Sequence, residues 1–196
     1  MSTPKLFYFD IMGRAEMIRL VFAAAGKQLE DVRFPETEWP QYKEKAPFGL
    51  APYMEIDGKL YAQSVALSTY FAKLFDLYGK TDKECLQIDQ LLNVIQDFIT
   101  ISFKIYEEPD EEKKAEKLKT CKESDTARYM GYFEKLLKEN GTGYYVGDRL
   151  TLADLAVFDV VTGWMKYFMG PIDGFPLVNA FVDKIGAGER IKAYMA

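Results

Sequence analysis

Pro47-Phe48-Gly49-Leu50-Ala51-Pro52-Tyr53-Met54-Glu55-Ile56-Asp57-Gly58, closing at Gln63-Ser64, reads as a proline turn, a strand, a hairpin, a second strand and a helix. Asp57-Gly58 marks the hairpin, because a tight two-residue turn needs positive φ and Gly supplies it without strain. Ser64 falls at a helix start, where backbone N–H groups lack partners, so Gln63-Ser64 can hold a small carboxylate. Pro52 donates no N–H and is a candidate for a cis peptide bond. That leaves Ala51 to offer backbone hydrogen bonds to an extended ligand. Taken alone, these residues also describe an ordinary hairpin and a helix capped by a hydroxyl. The first strand decides between the two.

That strand is Lys5-Leu6-Phe7-Tyr8-Phe9, followed by Gly13-Arg14-Ala15-Glu16. Ile18, Val21, Phe22 and Ala25 then recur at i, i+3, i+4 and i+7 until Gly26 stops the helix. Tyr8 lies near a strand end facing a helix start, with Arg14 in the first turn. A second strand over 31–34 follows the crossover helix and so runs parallel to the first. The hairpin is antiparallel, which makes the four-stranded sheet mixed. Leu67, Tyr70, Phe71 and Leu74 give the closing helix its apolar stripe. The pattern over 1–75 is that of a thioredoxin-like α/β domain.

After a linker over 76–80 the chain is wholly helical in pattern, so 81–196 is expected to be an all-helical bundle domain. Thr81 with Glu84 has the spacing of a capping box. Leu91, Leu92, Ile95, Phe98, Ile99 and Ser102 carry the first long helix to an interruption at Glu107-Glu108-Pro109-Asp110. A second long helix runs on to Gly141, its charged stretch over 111–119 a solvated face. Thr151-Leu152-Ala153-Asp154 is a second capping box, with Leu150 and Leu155 placed to staple it.

At 196 residues the chain is long enough to bury a real core. Thirty acidic residues against 25 basic ones argue against nucleic acid as a partner. Histidine is absent from the sequence, which removes the usual general base and the commonest metal ligand. Chemistry here must use tyrosine, carboxylates, a thiol or the ligand's own reactive group. Cys85 and Cys121 form no Cys-x-x-Cys pair and read as ordinary helix thiols. The N-terminus leads straight into a strand and no apolar run approaches about 18 residues, so no membrane association is expected and the cytosol is the default.

The Tyr-Phe, Gly-Arg-Ala-Glu, Trp39-Pro40, Phe48-Gly49, Ala51-Pro52 and Gln63-Ser64 elements together resemble the glutathione transferases, most closely the sigma class. Thr151 to Asp154 resembles the folding box of that family's helical domain. The resemblance implies a homodimer that uses glutathione as co-substrate, needs no metal, and conjugates hydrophobic electrophiles in detoxification. A free thiol titrates near about 8.5, and only the thiolate is nucleophilic. Lowering that value by about two units takes roughly 2.7 kcal/mol of preferential anion stabilisation. A hydrogen bond to a charged acceptor contributes about 1.5–3 kcal/mol. The resemblance makes Tyr8 that donor, with Arg14 adding positive potential and orienting it.

It further implies that Trp39 and Lys43 take the glycyl carboxylate and that Ala51, between Leu50 and Pro52, pairs with the cysteinyl moiety. Gln63 and Ser64 would take the γ-glutamyl carboxylate, and Asp97 of the partner subunit the γ-glutamyl ammonium. The electrophile pocket, carried with part of the dimer interface by the helical domain, would use Phe9, Ile11, Gly13, Gln96, Ile99, Ala156 and Val160. Two alternatives share the scaffold, a glutathione-dependent prostaglandin D isomerase and a low-activity S-crystallin-like structural protein. Lys104 departs from the isomerases, which resemblance suggests carry tryptophan there. A glutaredoxin-like redox protein is disfavoured, because no cysteine sits near the first helix.

Overall fold

The computed structural model describes residues 2–196, with the main chain alone described at residues 164 and 165. The chain divides into two compact units, Met1–Tyr78 with Glu189–Ala196, and Gly79–Gly188.

The first unit is built on a four-stranded sheet of order β2-β1-β3-β4. Its strands are β1 (Lys5–Phe9), β2 (Glu30–Phe34), β3 (Tyr53–Ile56) and β4 (Lys59–Ala62). β1 and β2 are parallel, joined through α1 (Glu16–Ala25), while β3 pairs antiparallel with both β1 and β4. The mixed sheet follows from this connectivity, since only a crossover helix returns a chain parallel. Leu6 and Tyr8 of β1 are buried, and α1 packs on α3 (Ser64–Leu74). α1 ends at Gly26 in the left-handed conformation, φ 64°. Asp57 and Gly58 both take positive φ, 48° and 78°, as the mirror-image hairpin turn requires.

The last helix, α9 (Glu189–Met195), belongs to this unit. The end of the stretch expected as the helical domain over 81–196 thus returns to α1 of the first unit. Specific contacts account for the return. Ile191 is buried, Arg190 Nη1 donates to the Ala24 carbonyl at 3.0 Å, and the Tyr194 hydroxyl donates to Glu16 at 2.7 Å.

The second unit is all helical: α4 (Asp82–Tyr106), α5 (Glu111–Thr120), α6 (Thr126–Asn140), α7 (Leu152–Thr162) and α8 (Pro176–Ala187). α7 runs through the centre, with Leu152 to Phe158 all buried, and packs against α4 and α8. The helix expected to run unbroken to Gly141 instead contains a wide π turn, Cys121–Asp125. There the Thr126 hydroxyl donates to the Cys121 carbonyl at 3.1 Å and accepts the Gly170 N–H at 2.9 Å. Both capping boxes are present. Asp154 Oδ2 accepts from the Thr151 N–H and hydroxyl at 2.7 and 2.9 Å, and its Oδ1 accepts from Tyr145 N–H at 2.8 Å. α8 is capped from a distance, since the Glu134 carboxylate accepts the N–H groups of Leu177 and Val178 at 3.0 and 2.9 Å.

Candidate functional site

Register gathers the candidate residues of the first unit at one end of its sheet. Phe7 pairs with Tyr53 across β1 and β3, so Tyr8 lies one step beyond, level with Pro52. Tyr53 pairs with Ala62 across β3 and β4, which brings Ala51-Pro52 alongside Gln63-Ser64. The Ala51–Pro52 peptide bond is cis.

Tyr8 is buried, and its hydroxyl accepts the main-chain N–H of Arg14 at 3.0 Å. Arg14 thus meets the Tyr8 hydroxyl through its backbone N–H. Gly13 permits it. At φ 44°, a Cβ on Gly13 would stand 2.6 Å from the Tyr8 hydroxyl oxygen, closer than any side chain tolerates. Half-burial holds the Arg14 guanidinium below its usual value, against the opposing pull of Tyr8.

Aromatic stacking positions Trp39 and Lys43. Phe34 at the end of β2 stacks on Tyr42 at 4.0 Å and on Trp39 at 5.9 Å, and Phe9 meets Trp39 edge-on at 5.4 Å. Phe7 stacks on Tyr53 at 4.8 Å. These contacts fix the short helix α2 (Trp39–Lys43) beside the sheet end, with Trp39 half-buried and Lys43 exposed. Phe9 is thereby half-buried among rings, whereas Ile11 and Leu50 are exposed.

The start of α3 differs from its expected form in one respect. Ser64 is not the cap but the first helical residue, and Gln63 holds the cap position at φ 77° and ψ 104°. No side chain caps this end. The first-turn N–H groups and the positive end of the helix dipole are left to attract an anion. A non-glycine residue at that φ costs about 1–3 kcal/mol, a strain typical of ligand-contacting positions.

The remaining candidates belong to the helical unit. Gln96 and Ile99 are half-buried on α4, and Asp97 and Lys104 are exposed on the same helix. Ala156 and Val160 are buried in α7, which packs on α4. Burial pushes the Cys121 thiol up to about 11, away from the reactive range. Among the described residues, no group of three or more His, Cys, Asp or Glu is arranged to hold a metal ion. No described helix is long and apolar enough to cross a membrane.

One cluster escaped the sequence reading. Glu16 and Arg19 of α1, each 2% exposed, pair with one another; Arg19 also pairs with Asp31, which Arg33 shares, and Glu16 accepts from Tyr194. Two charges amid an otherwise apolar helix face were the available signal.

Residues 4–73 match the model for the glutathione S-transferase N-terminal domain, and residues 96–196 that for the C-terminal domain. "Glutathione S-transferase 1" of Ascaris suum is 34% identical, the alignment covering 100% of this chain and 97% of that protein. The structure of prostaglandin synthase D of Nilaparvata lugens superposes with a TM-score of 0.89 at 30% identity, over 98% of this chain and 96% of that one. Monomeric Na-GST-3, a glutathione S-transferase of the hookworm Necator americanus, superposes with a TM-score of 0.82 at 34% identity, over 98% and 96%.

Proposed function

Because the chain belongs to the glutathione S-transferase family, and is a transferase on that ground, we propose that Tyr8 stabilises the glutathione thiolate for attack on hydrophobic electrophiles. The observation that carries this reading is the Arg14 N–H donated into the Tyr8 hydroxyl at 3.0 Å. A phenol that accepts at its oxygen keeps its proton to donate, and the accepted bond polarises its O–H further. The thiol proton leaves to solvent, the sulfur forms a bond to the electrophilic carbon, and any leaving group departs with the displaced electron pair.

Around Tyr8 the tripeptide has a partner for each charge. The uncapped start of α3 at Gln63 and Ser64 suits the γ-glutamyl carboxylate. Trp39 and Lys43 offer an indole N–H and an ammonium to the glycyl carboxylate, and Ala51, between Leu50 and cis-Pro52, offers its backbone to the cysteinyl moiety. Asp97, exposed on α4, would reach the γ-glutamyl ammonium of the other subunit in a homodimer. Gln96 and Ile99 on α4, Ala156 and Val160 on α7, Phe9 at the end of β1, and Ile11 and Gly13 after it are the residues we assign to electrophile selection.

We place the chain in the sigma class on the Tyr8-Phe9, Gly13 to Glu16 and Gln63-Ser64 elements. Its role on this reading is detoxification in the cytosol, where glutathione keeps thiols reduced. A prostaglandin D isomerase is the second reading, favoured by the Nilaparvata lugens likeness. Lys104 is exposed; it either turns its ammonium to water or brings charge beside a lipid chain that cannot pair with it, and both loosen selection for one rigid lipid pose, so broad specificity is preferred.

Tyr8→Phe tests the mechanism. We expect conjugation to slow roughly 10–100-fold, glutathione affinity to stay within a few fold, and the bound thiol's pKa to rise. Ultraviolet titration of the bound thiolate reads the pKa, and an unchanged pKa and rate removes Tyr8 from the mechanism. A panel of an aryl halide, a hydroperoxide, an unsaturated aldehyde and a prostaglandin endoperoxide tests specificity. Prostaglandin D as nearly the only product selects the isomerase. A silent panel with tight glutathione binding selects a structural, crystallin-like role.

A further inference from the structure

Arg19 takes no part in the roles above, yet it is 2% exposed and uses its whole guanidinium fork. Nε and Nη2 donate to Asp31 Oδ2 and Oδ1 at 3.0 and 3.3 Å. Nη1 donates to Glu16 Oε2 at 3.1 Å, to the Ile11 carbonyl at 2.8 Å and to the Met12 carbonyl at 3.3 Å. The other Glu16 oxygen accepts the Tyr194 hydroxyl at 2.7 Å. Asp31 also accepts from Arg33, which reaches Asp10 at 3.2 Å.

The two carbonyls that Arg19 holds immediately precede Gly13-Arg14. One residue beyond Gly13 is the Arg14 N–H, which points into the Tyr8 hydroxyl. We propose that Arg19, itself clamped by Asp31 and by Glu16, which Tyr194 of the C-terminal helix holds in turn, is a positioning residue that fixes the Ile11–Arg14 main chain and thereby aims the Tyr8 hydroxyl. The proposal rests on the reading of Tyr8 as the thiolate donor.

Its action is geometric rather than electrostatic. The cluster sets Arg19 and Arg33 against Glu16, Asp31 and Asp10, so it offers no net positive potential to a thiolate. What it offers is rigidity, and a misplacement of about 1 Å at a reacting group costs about a hundredfold. The loop that ends in Gly13 at φ 44° is tied at its start by the Asp10 N–H to the Phe34 carbonyl, and Arg19 ties the Ile11 and Met12 carbonyls from behind.

The test compares variants in one assay, the ultraviolet titration of the glutathione thiolate bound to the whole protein, alongside thermal unfolding. Tyr194→Phe removes one oxygen from a half-buried side chain and leaves Glu16 without that donor. We expect the bound thiolate fraction at fixed pH to fall about threefold, with kcat/KM falling in parallel and glutathione affinity unchanged. Arg19→Lys, which keeps the charge and loses the fork, is expected to lower the thiolate fraction at least as much.

Ile191→Val, on the same helix, is the structural control. It should lower the melting temperature without moving the thiol titration. A titration for Tyr194→Phe that matches the unsubstituted protein, while Tyr8→Phe shifts it, overturns the positioning role alone. An equal shift in Ile191→Val also overturns it, because general loosening would then suffice. An unshifted Tyr8→Phe removes the premise, and the proposal falls with it.

Discussion

Gly13 shows how narrow the tolerance at the candidate site is. With φ 44° and the Tyr8 hydroxyl 2.6 Å from where its Cβ would stand, a methyl group there must displace either the hydroxyl or the Arg14 N–H. We expect Gly13→Ala to cost about 1–3 kcal/mol of stability through backbone strain. Conjugation should slow by roughly a hundredfold, as a 1 Å displacement would. Chemical denaturation and steady-state kinetics check the two effects separately, and a loss of stability alone would place Gly13 outside the mechanism. Tyr8 was legible from the sequence because a strand end facing a helix start is a local pattern. Gly13's contact was not, since a glycine in a turn looks the same whether or not a hydroxyl lies over it. Arg19 was not legible either: its partner Asp31 is 12 residues away, and Glu16 meets Tyr194 across 178.

Helix ends were the most legible elements, because both partners of a capping box lie within one turn. Thr81 with Glu84 and Thr151 with Asp154 close as their spacing requires. The π turn over Cys121–Asp125 was hidden, since it depends on Thr126 bonding to Gly170 from a distant loop. Asp154 carries a pH dependence of its own. Burial pushes its carboxyl up to about 6, against the lowering effect of the bonds from Tyr145 and Thr151. An unfolded aspartate titrates near about 3.9, so the folded chain binds this proton more tightly. The stability it contributes is fully present below about pH 4 and is lost as pH rises through about 6. We expect the unfolding free energy to fall by up to about 3 kcal/mol across that window. Asp154→Asn cannot titrate, so it should flatten the slope while costing roughly 1–3 kcal/mol for the lost acceptor. Urea midpoints measured at successive pH values read both effects, and an unchanged slope in the variant would assign the dependence to another group.

For the whole molecule, the arrangement of a thioredoxin-like unit and a helical unit was legible in the change from mixed to purely helical periodicity near residue 76. The destination of the tail was not, because α9 has the same amphipathic pattern whichever unit it joins. Assembly is the prediction at this scale. An isologous two-fold interface would place one Asp97 contact at each of two sites. Asp97→Ala is therefore expected to raise the Michaelis constant for glutathione more than it lowers turnover. Sedimentation should show a dimer. A monomer that retains full activity would refute the shared site, and one hookworm relative is described as monomeric.

The return of Glu189–Ala196 to the first unit makes that unit discontinuous along the chain, with consequences for biosynthesis. At about 5–20 residues per second, the ribosome delivers Tyr194 roughly ten seconds after the sheet strands have emerged. Through that interval Glu16 and Arg19 belong to a partly built unit, with the helical unit made in between. Until the final helix docks, Glu16 lacks the Tyr194 hydroxyl and α1 lacks the cover of Ile191.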